Sequence, residues 1–145
     1  MIIGTISAFI ATIGFSIFFY VPKKELLLCG GIGALGWFIY LLCLHFNASL
    51  IVANFAGALI VSEGSIILAK LRKMPVTIFL IAGIIPLVPG AATYQTMYAL
   101  LTGDHLVALG YASYAFQSAA VIAGAIVLTT MLPRILGTGN KIRQD

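Results

Sequence analysis

The chain has 145 residues, of which 61% are apolar and only 8% charged, and its mean hydropathy is +1.12. Soluble domains carry about 25% charged residues, so this composition excludes a soluble domain and predicts an all-α integral membrane protein. The net charge of +4 does not indicate nucleic acid binding, because the basic residues are scattered over short connectors. Cys29 and Cys43 are about 21 Å apart along one helix, so the sequence indicates neither a disulfide nor a metal site.

Five apolar segments follow one another along the chain, each bounded by charged or turn residues. Because about 20 apolar residues cross the hydrocarbon core of a bilayer, the segments predict five transmembrane helices within a single domain, residues 1–145. The glycines between Gly30 and Gly36 indicate close helix packing in the second segment. The expected spans are roughly 2–21, 26–46, 48–69, 76–101 and 106–132.

The basic residues predict the orientation of these helices. All eight fall in the first loop, the third loop and the C-terminal tail, which alternate with connectors that carry none. The positive-inside rule assigns such loops to the cytoplasm, so we expect the N-terminus outside and the C-terminus inside. The residues concerned are Lys23, Lys24, Lys70, Arg72, Lys73, Arg134, Lys141 and Arg143.

The fourth segment is interrupted at Pro86–Gly90, where two prolines stand three residues apart before a glycine. Each proline removes a backbone N–H and clashes with the carbonyl four residues earlier, so the helix is expected to stop near Leu87 and restart at Pro89. Irregular backbone at membrane depth occurs only where it is buried in protein or lines a wet cavity, and broken spans often build the substrate sites of transporters. The alternative is a proline kink that only fits a neighbouring helix.

The residues that follow the break predict an anion site. The N–H groups of Gly90, Ala91 and Ala92 are expected to lack partners and, with the helix dipole, to present about half a positive charge to a carboxylate. Tyr94 and Tyr98 lie one turn apart on the same helix face as Gly90. The candidate substrate-binding residues are Pro86, Pro89, Gly90, Ala91, Thr93, Tyr94, Tyr98 and Gln117.

Glu63 is the only acidic residue well inside a predicted span, seven residues and about 10 Å before Lys70. An ionisable group at that depth is a functional candidate, here as a proton-coupling residue or as a counter-charge for an amino group. Alternatively, the helix ends after Ser62 and Glu63 lies at the cytoplasmic interface. Asn54 and Gln117 also lie within spans, where an amide is more often interhelical glue than a ligand.

The chain resembles the threonine/serine exporter family over roughly residues 2–137, most specifically at Met74-Pro75 and at Pro86-Leu87-Val88-Pro89-Gly90 with Tyr94. It looks like the small integral-membrane subunit of the split form, which matches the C-terminal half of the one-chain exporters. The resemblance implies export of small hydroxy amino acids from the bacterial cytoplasmic (inner) membrane, and a related two-subunit system is associated with succinate export. It also implies a larger membrane subunit with a cytoplasmic region, so we expect a hetero- or homo-oligomer.

These features predict the membrane subunit of a secondary exporter for small carboxylate-bearing solutes, either threonine and serine or a dicarboxylate such as succinate. Because no ATP-binding motif is present, proton coupling is the working hypothesis. The alternative is a structural or assembly subunit that stabilises a larger transport partner. An enzyme is not expected, because one acid inside five spans hardly supplies an acid–base or nucleophilic set, and no cofactor is implied.

Overall fold

The computed structural model describes the backbone of residues 1–135 and the side chains of residues 1–131. The predicted orientation depends partly on three basic residues beyond these limits. The side chain of Arg134, and the whole of Lys141 and Arg143, lie outside the described residues.

The described chain is all helical, as predicted, and contains six α-helices and one 3₁₀ turn. The helices are α1 (Ile2–Phe18), α2 (Leu26–His45), α3 (Leu50–Arg72), α4 (Val76–Ile84), the 3₁₀ turn (Ile85–Leu87), α5 (Gly90–Leu101) and α6 (His105–Ile135). Among them, α2, α3 and the part of α6 up to Met131 are each long and apolar enough to cross a membrane. The segment Val76–Leu87 and α5, bent by 51° at a short break, reach that length together and make a fourth candidate span.

The first helix is shorter than the predicted span 2–21. It has 17 residues and is about 26 Å long, whereas about 20 residues cross the hydrocarbon core. It ends at Phe18 because the chain turns over Phe19 and Tyr20, and Tyr20 adopts a left-handed conformation with φ of 56°. The structure therefore provides three to four candidate spans by length and composition, rather than the five expected.

Polar contacts between α3 and α6 show how the later helices are arranged. The amide Nδ2 of Asn54 donates to the hydroxyl of Ser118 at 3.2 Å, and Ser62 is hydrogen bonded to Thr129 further along both helices. Residue numbers rise together in these two pairs, so α3 and α6 run parallel. The broken pair α4–α5 must therefore carry the chain back between them.

The core combines buried residues of α2, α3, α4 and α6 with Leu87 of the 3₁₀ turn. Glycines allow the backbones of α2 and α3 to come close. A Cβ added to Gly57 of α3 would stand 2.9 Å from the carbonyl oxygen of Gly36 in α2 and 3.1 Å from a methyl group of Leu87. Leu87, the last residue of the 3₁₀ turn, is only 3% exposed. The break is therefore anchored where the backbones of α2 and α3 approach closely, as small residues permit in membranes.

An ion pair joins the beginning of α2 to the end of α3. The Arg72 Nε lies 2.9 Å from both carboxylate oxygens of Glu25, and its Nη2 donates to Oε1 at 2.6 Å. Glu25 is 4% exposed, whereas the Arg72 side chain is 42% exposed. Arg72 was predicted only to orient the helices, and its pairing with Glu25 was not predicted. The contact places the first and third loops at the same end of the bundle, in agreement with the charge pattern.

Candidate functional site

The predicted interruption is present between α4 and α5, and the chain crosses it by two successive tight turns. The N–H of Val88 donates to the carbonyl of Ile85 at 3.1 Å, which closes the 3₁₀ turn after Leu87. Pro89 then has φ of −76° and ψ of 55°, and the N–H of Gly90 donates to the carbonyl of Val88 at 2.7 Å. These angles and this bond define an inverse γ-turn. Gly90, not Pro89, is the first residue of α5.

The γ-turn changes the expected anion site. Because the Gly90 N–H is already bonded to Val88, the prediction that it lacks a partner is wrong. The N–H groups of Ala91 and Ala92 have no backbone acceptor among the described residues, whereas the N–H of Thr93 donates to Pro89 at 3.1 Å. Two donors rather than three therefore remain at this helix terminus. Gly90 itself is exposed, and a Cβ built on it would meet no atom within 4 Å.

The face of α5 beyond the break is aromatic and points away from the bundle. Tyr94 is 67% exposed and Tyr98 55% exposed, and their rings stack with centroids 6.4 Å apart. Thr93, also exposed, donates its hydroxyl to the carbonyl of Pro89 at 3.0 Å. Within the described residues, α5 packs against α6 alone, so these side chains meet no other helix.

Gln117 lies at the level of the break although it is not bonded to it. The α5–α6 hairpin turns at Gly103, which is 13 residues after Gly90 and 14 before Gln117. Because both helices rise by the same distance per residue, Gly90 on α5 and Gln117 on α6 lie at similar distances from the turn. The Gln117 side chain is exposed, and it makes no hydrogen bond among the described residues, whereas the neighbouring Ser118 is buried and bonded to Asn54. Asn54 therefore joins two helices, which is the role that the sequence favoured for an amide within a span.

Glu63 lies on a different face of the bundle from the break. Its helix continues to Arg72, so the alternative in which the helix ends after Ser62 is wrong. Gly57, which contacts the break through Leu87, precedes Glu63 by six residues, or about 120° around the helix axis. The Glu63 side chain is exposed and makes no ion pair or hydrogen bond among the described residues.

A cleft of about 270 Å³ borders the other side of the break, between α1 and α2. Pro86 and Trp37 line it together with small residues of α1. The indole Nε1 of Trp37 is buried there without a hydrogen-bond partner, and a Cβ on Gly4 would lie 3.1 Å from it. No sequence pattern indicates that Trp37 lies beside Pro86, because the two residues are far apart along the chain.

Known proteins resemble this chain over nearly its whole length. The profile of the family described as "Threonine/Serine exporter, ThrE" matches residues 4–136. The chain belongs to the threonine/serine exporter family. This is a transporter family rather than an enzyme family, and the apolar helices agree with a multi-pass membrane protein.

A relative from Haemophilus influenzae is 29% identical over 136 residues, which is 89% of this chain and 45% of the relative. That relative is named only as an uncharacterized protein, and the chain spans less than half of its length. No solved structure matches the chain.

Proposed function

We propose that this chain is the membrane subunit of a secondary exporter in the bacterial cytoplasmic membrane. Its substrates are small carboxylate-bearing solutes, with threonine and serine favoured by the family and a dicarboxylate such as succinate as the second class. The observation that carries the proposal is the break between α4 and α5, which presents backbone donors next to polar side chains within a family of exporters.

The substrate carboxylate binds at the N-terminus of α5. The free N–H groups of Ala91 and Ala92 and the positive end of the helix dipole favour an anion there by about 0.3–2 kcal/mol. Because Gly90 has no side chain, the substrate can approach the backbone closely. Tyr94 is one turn further along the same face and supplies a hydroxyl. The remaining binding candidates are Pro86, Pro89, Thr93, Tyr98 and Gln117.

The chain works with a larger membrane subunit. Its resemblance to the small subunit of the split exporters supports such a partner, and it spans less than half of its Haemophilus influenzae relative. In this assembly the chain crosses the membrane five times, with the N-terminus outside. The Glu25–Arg72 pair supports this topology, because it keeps the two basic loops on one side.

Export against a gradient is coupled to protons, and Glu63 is the titratable candidate. Glu63 is exposed and has no hydrogen-bond partner among the described residues, so proton transfer through Glu63 requires the assembled exporter. Replacing Glu63 by Gln should remove the pH dependence of efflux. Unchanged transport with unchanged pH dependence would rule out this assignment.

Efflux of preloaded threonine, serine and succinate tests the proposal. Cells express the chain alone, with its larger partner, and with the partner and Gly90→Leu. Because a side chain at Gly90 meets nothing, this variant should fold normally and block the approach to the α5 N-terminus. Gly124→Leu is the matched control, since Gly124 also has open space around it but lies in α6.

We expect efflux only with the partner, abolished by Gly90→Leu and retained in Gly124→Leu at equal membrane levels. Efflux that survives Gly90→Leu would exclude the break as the substrate path. In that case an assembly role for this chain would be the better explanation.

A further inference from the structure

The outward face of α3 carries a carboxyl group between apolar side chains, and the exposed Lys70 follows two turns later near the helix end. Ile60, Glu63, Ile67 and Leu71 are all exposed and recur at helical spacing, and we refer to them as the Glu63 face. Glu63 lies nine residues, or about 14 Å, before Arg72, whose ion pair marks one end of the bundle. A hydrocarbon core is about 30 Å thick, so Glu63 lies well inside the membrane-spanning length of α3.

Lipid is a poor environment for this side chain. Ionisable residues at that depth almost always face a bundle interior, a wet cavity or a partner, because their transfer into hydrocarbon is costly. The other polar side chains buried within α3 are satisfied internally: Asn54 by Ser118, Ser62 by Thr129, and Ser65 by the carbonyl of Val61. Among the described residues of this helix, only the exposed side chains of Glu63 and Lys70 make no hydrogen bond or ion pair, and Lys70 lies near the helix end. The position of Glu63 away from that end indicates that a contact is missing.

We propose that the Glu63 face binds a helix of a second, different membrane-spanning chain, which places a hydrogen-bond donor or a cationic side chain opposite the carboxyl. Apolar side chains of that helix pack against Ile60 and Ile67. This inference rests on the proposed function, because the second chain is the larger subunit of the proposed exporter.

A second copy of this chain is the less suitable occupant. A two-fold axis along the membrane normal keeps every residue at its own depth, so Glu63 would face another Glu63 and be repelled. The exposed amide of Gln117 in a second copy cannot reach Glu63, because Gln117 adjoins Ser118 at the level of Asn54, nine residues or about 14 Å along α3 from Glu63. Lys70 and Lys73 of a second copy would not pair with Glu63 either, because they lie near the end of α3 and not at the level of Glu63.

Photo-crosslinking in the bacterial host tests the interface. A photoreactive residue replaces Ile67 on the Glu63 face or, as a control, Ile10 on α1, which has a similar exposed fraction (64% against 55%). The full chain is expressed with the host membrane protein that matches the part of the Haemophilus influenzae relative not covered here. We expect a crosslink to that protein from Ile67 but not from Ile10. A crosslink only to lipid or only to a second tagged copy would overturn the proposal.

A second measurement separates an interface from a structural role. Because Glu63 is exposed and makes no hydrogen bond or ion pair among the described residues, Glu63→Leu should leave the melting temperature of the isolated chain unchanged. It should reduce recovery of the two-chain complex in mild detergent at least about tenfold, since it leaves the partner's polar group unpaired. Glu63→Gln should restore part of the recovery, and Ile67→Leu should have no effect.

Complex recovery unaffected by Glu63→Leu would refute the interface. Efflux measured on the same cells keeps the two proposals apart. An intact crosslink without efflux of threonine, serine or succinate would leave the interface standing and reject the transport function.

Discussion

Replacing Gly57 by alanine tests whether the break is held by close backbone packing. The new Cβ would lie 2.9 Å from the carbonyl oxygen of Gly36, a backbone atom that cannot move aside alone, and 3.1 and 3.2 Å from the two methyl groups of Leu87. Overpacking of this kind costs about 1–3 kcal/mol. Alanine in place of glycine also stabilises a helix by about 1 kcal/mol. The expected net loss of stability is therefore about 0–2 kcal/mol.

Gly64→Ala is the matched control, because Gly64 lies on the same helix two turns later. Its added Cβ would be 3.6 Å from Ile32, an ordinary van der Waals distance. This variant keeps the helix gain without the clash, so its stability should rise by up to about 1 kcal/mol. The two variants should then differ by about 1–3 kcal/mol, the overpacking cost alone.

Thermal unfolding in detergent, followed by the fluorescence of the single tryptophan, Trp37, measures both variants. Because Leu87 ends the 3₁₀ turn, Gly57→Ala should also lower efflux at equal membrane levels, whereas Gly64→Ala should not. Equal melting temperatures for the two variants would refute the argument that α2, α3 and the break meet without spare volume.

The ion pair and the interhelical amide give two further expectations. Arg72→Leu should lower the melting temperature, because it leaves the buried Glu25 carboxyl without its donor. Glu25→Gln should lower it less, since the freed guanidinium reaches water. Comparing the two melting temperatures checks this order, and the opposite order would contradict it. Asn54→Ala should lower the melting temperature through loss of about 1 kcal/mol from its bond to Ser118, while Gln117→Ala should change efflux but not melting. A destabilised Gln117→Ala would show that this exposed amide is structural.

The sequence predicted the features that depend on local chemistry. Hydropathy indicated an all-helical membrane protein, and the loss of N–H groups at two prolines placed the end of the first half-helix at Leu87. The bonding of Gly90 could not be predicted, because it depends on the ψ angle that Pro89 adopts. Proline fixes φ but leaves ψ free.

Features that depend on tertiary contacts were less accessible from the sequence. The pair between Glu25 and Arg72 joins residues 47 positions apart, and no local pattern links them. The end of α3 was left open because apolar and charged residues alternate there, and the structure continues the helix to Arg72. The early end of α1 was not predicted either. The turn at Tyr20 is left-handed, and no glycine marks it in the sequence.

The attachment of α5 has a mechanical consequence. Within the described residues, this half-helix touches α6 and no other helix, and it joins α4 only through the extended Val88 and the turn at Pro89. A tilt of α5 can therefore reach the rest of the bundle by two routes, the covalent link and the seam between α6 and α3. The hydrogen bonds between α3 and α6, rather than the aromatic face of α5, determine how rigidly α5 is held against the bundle.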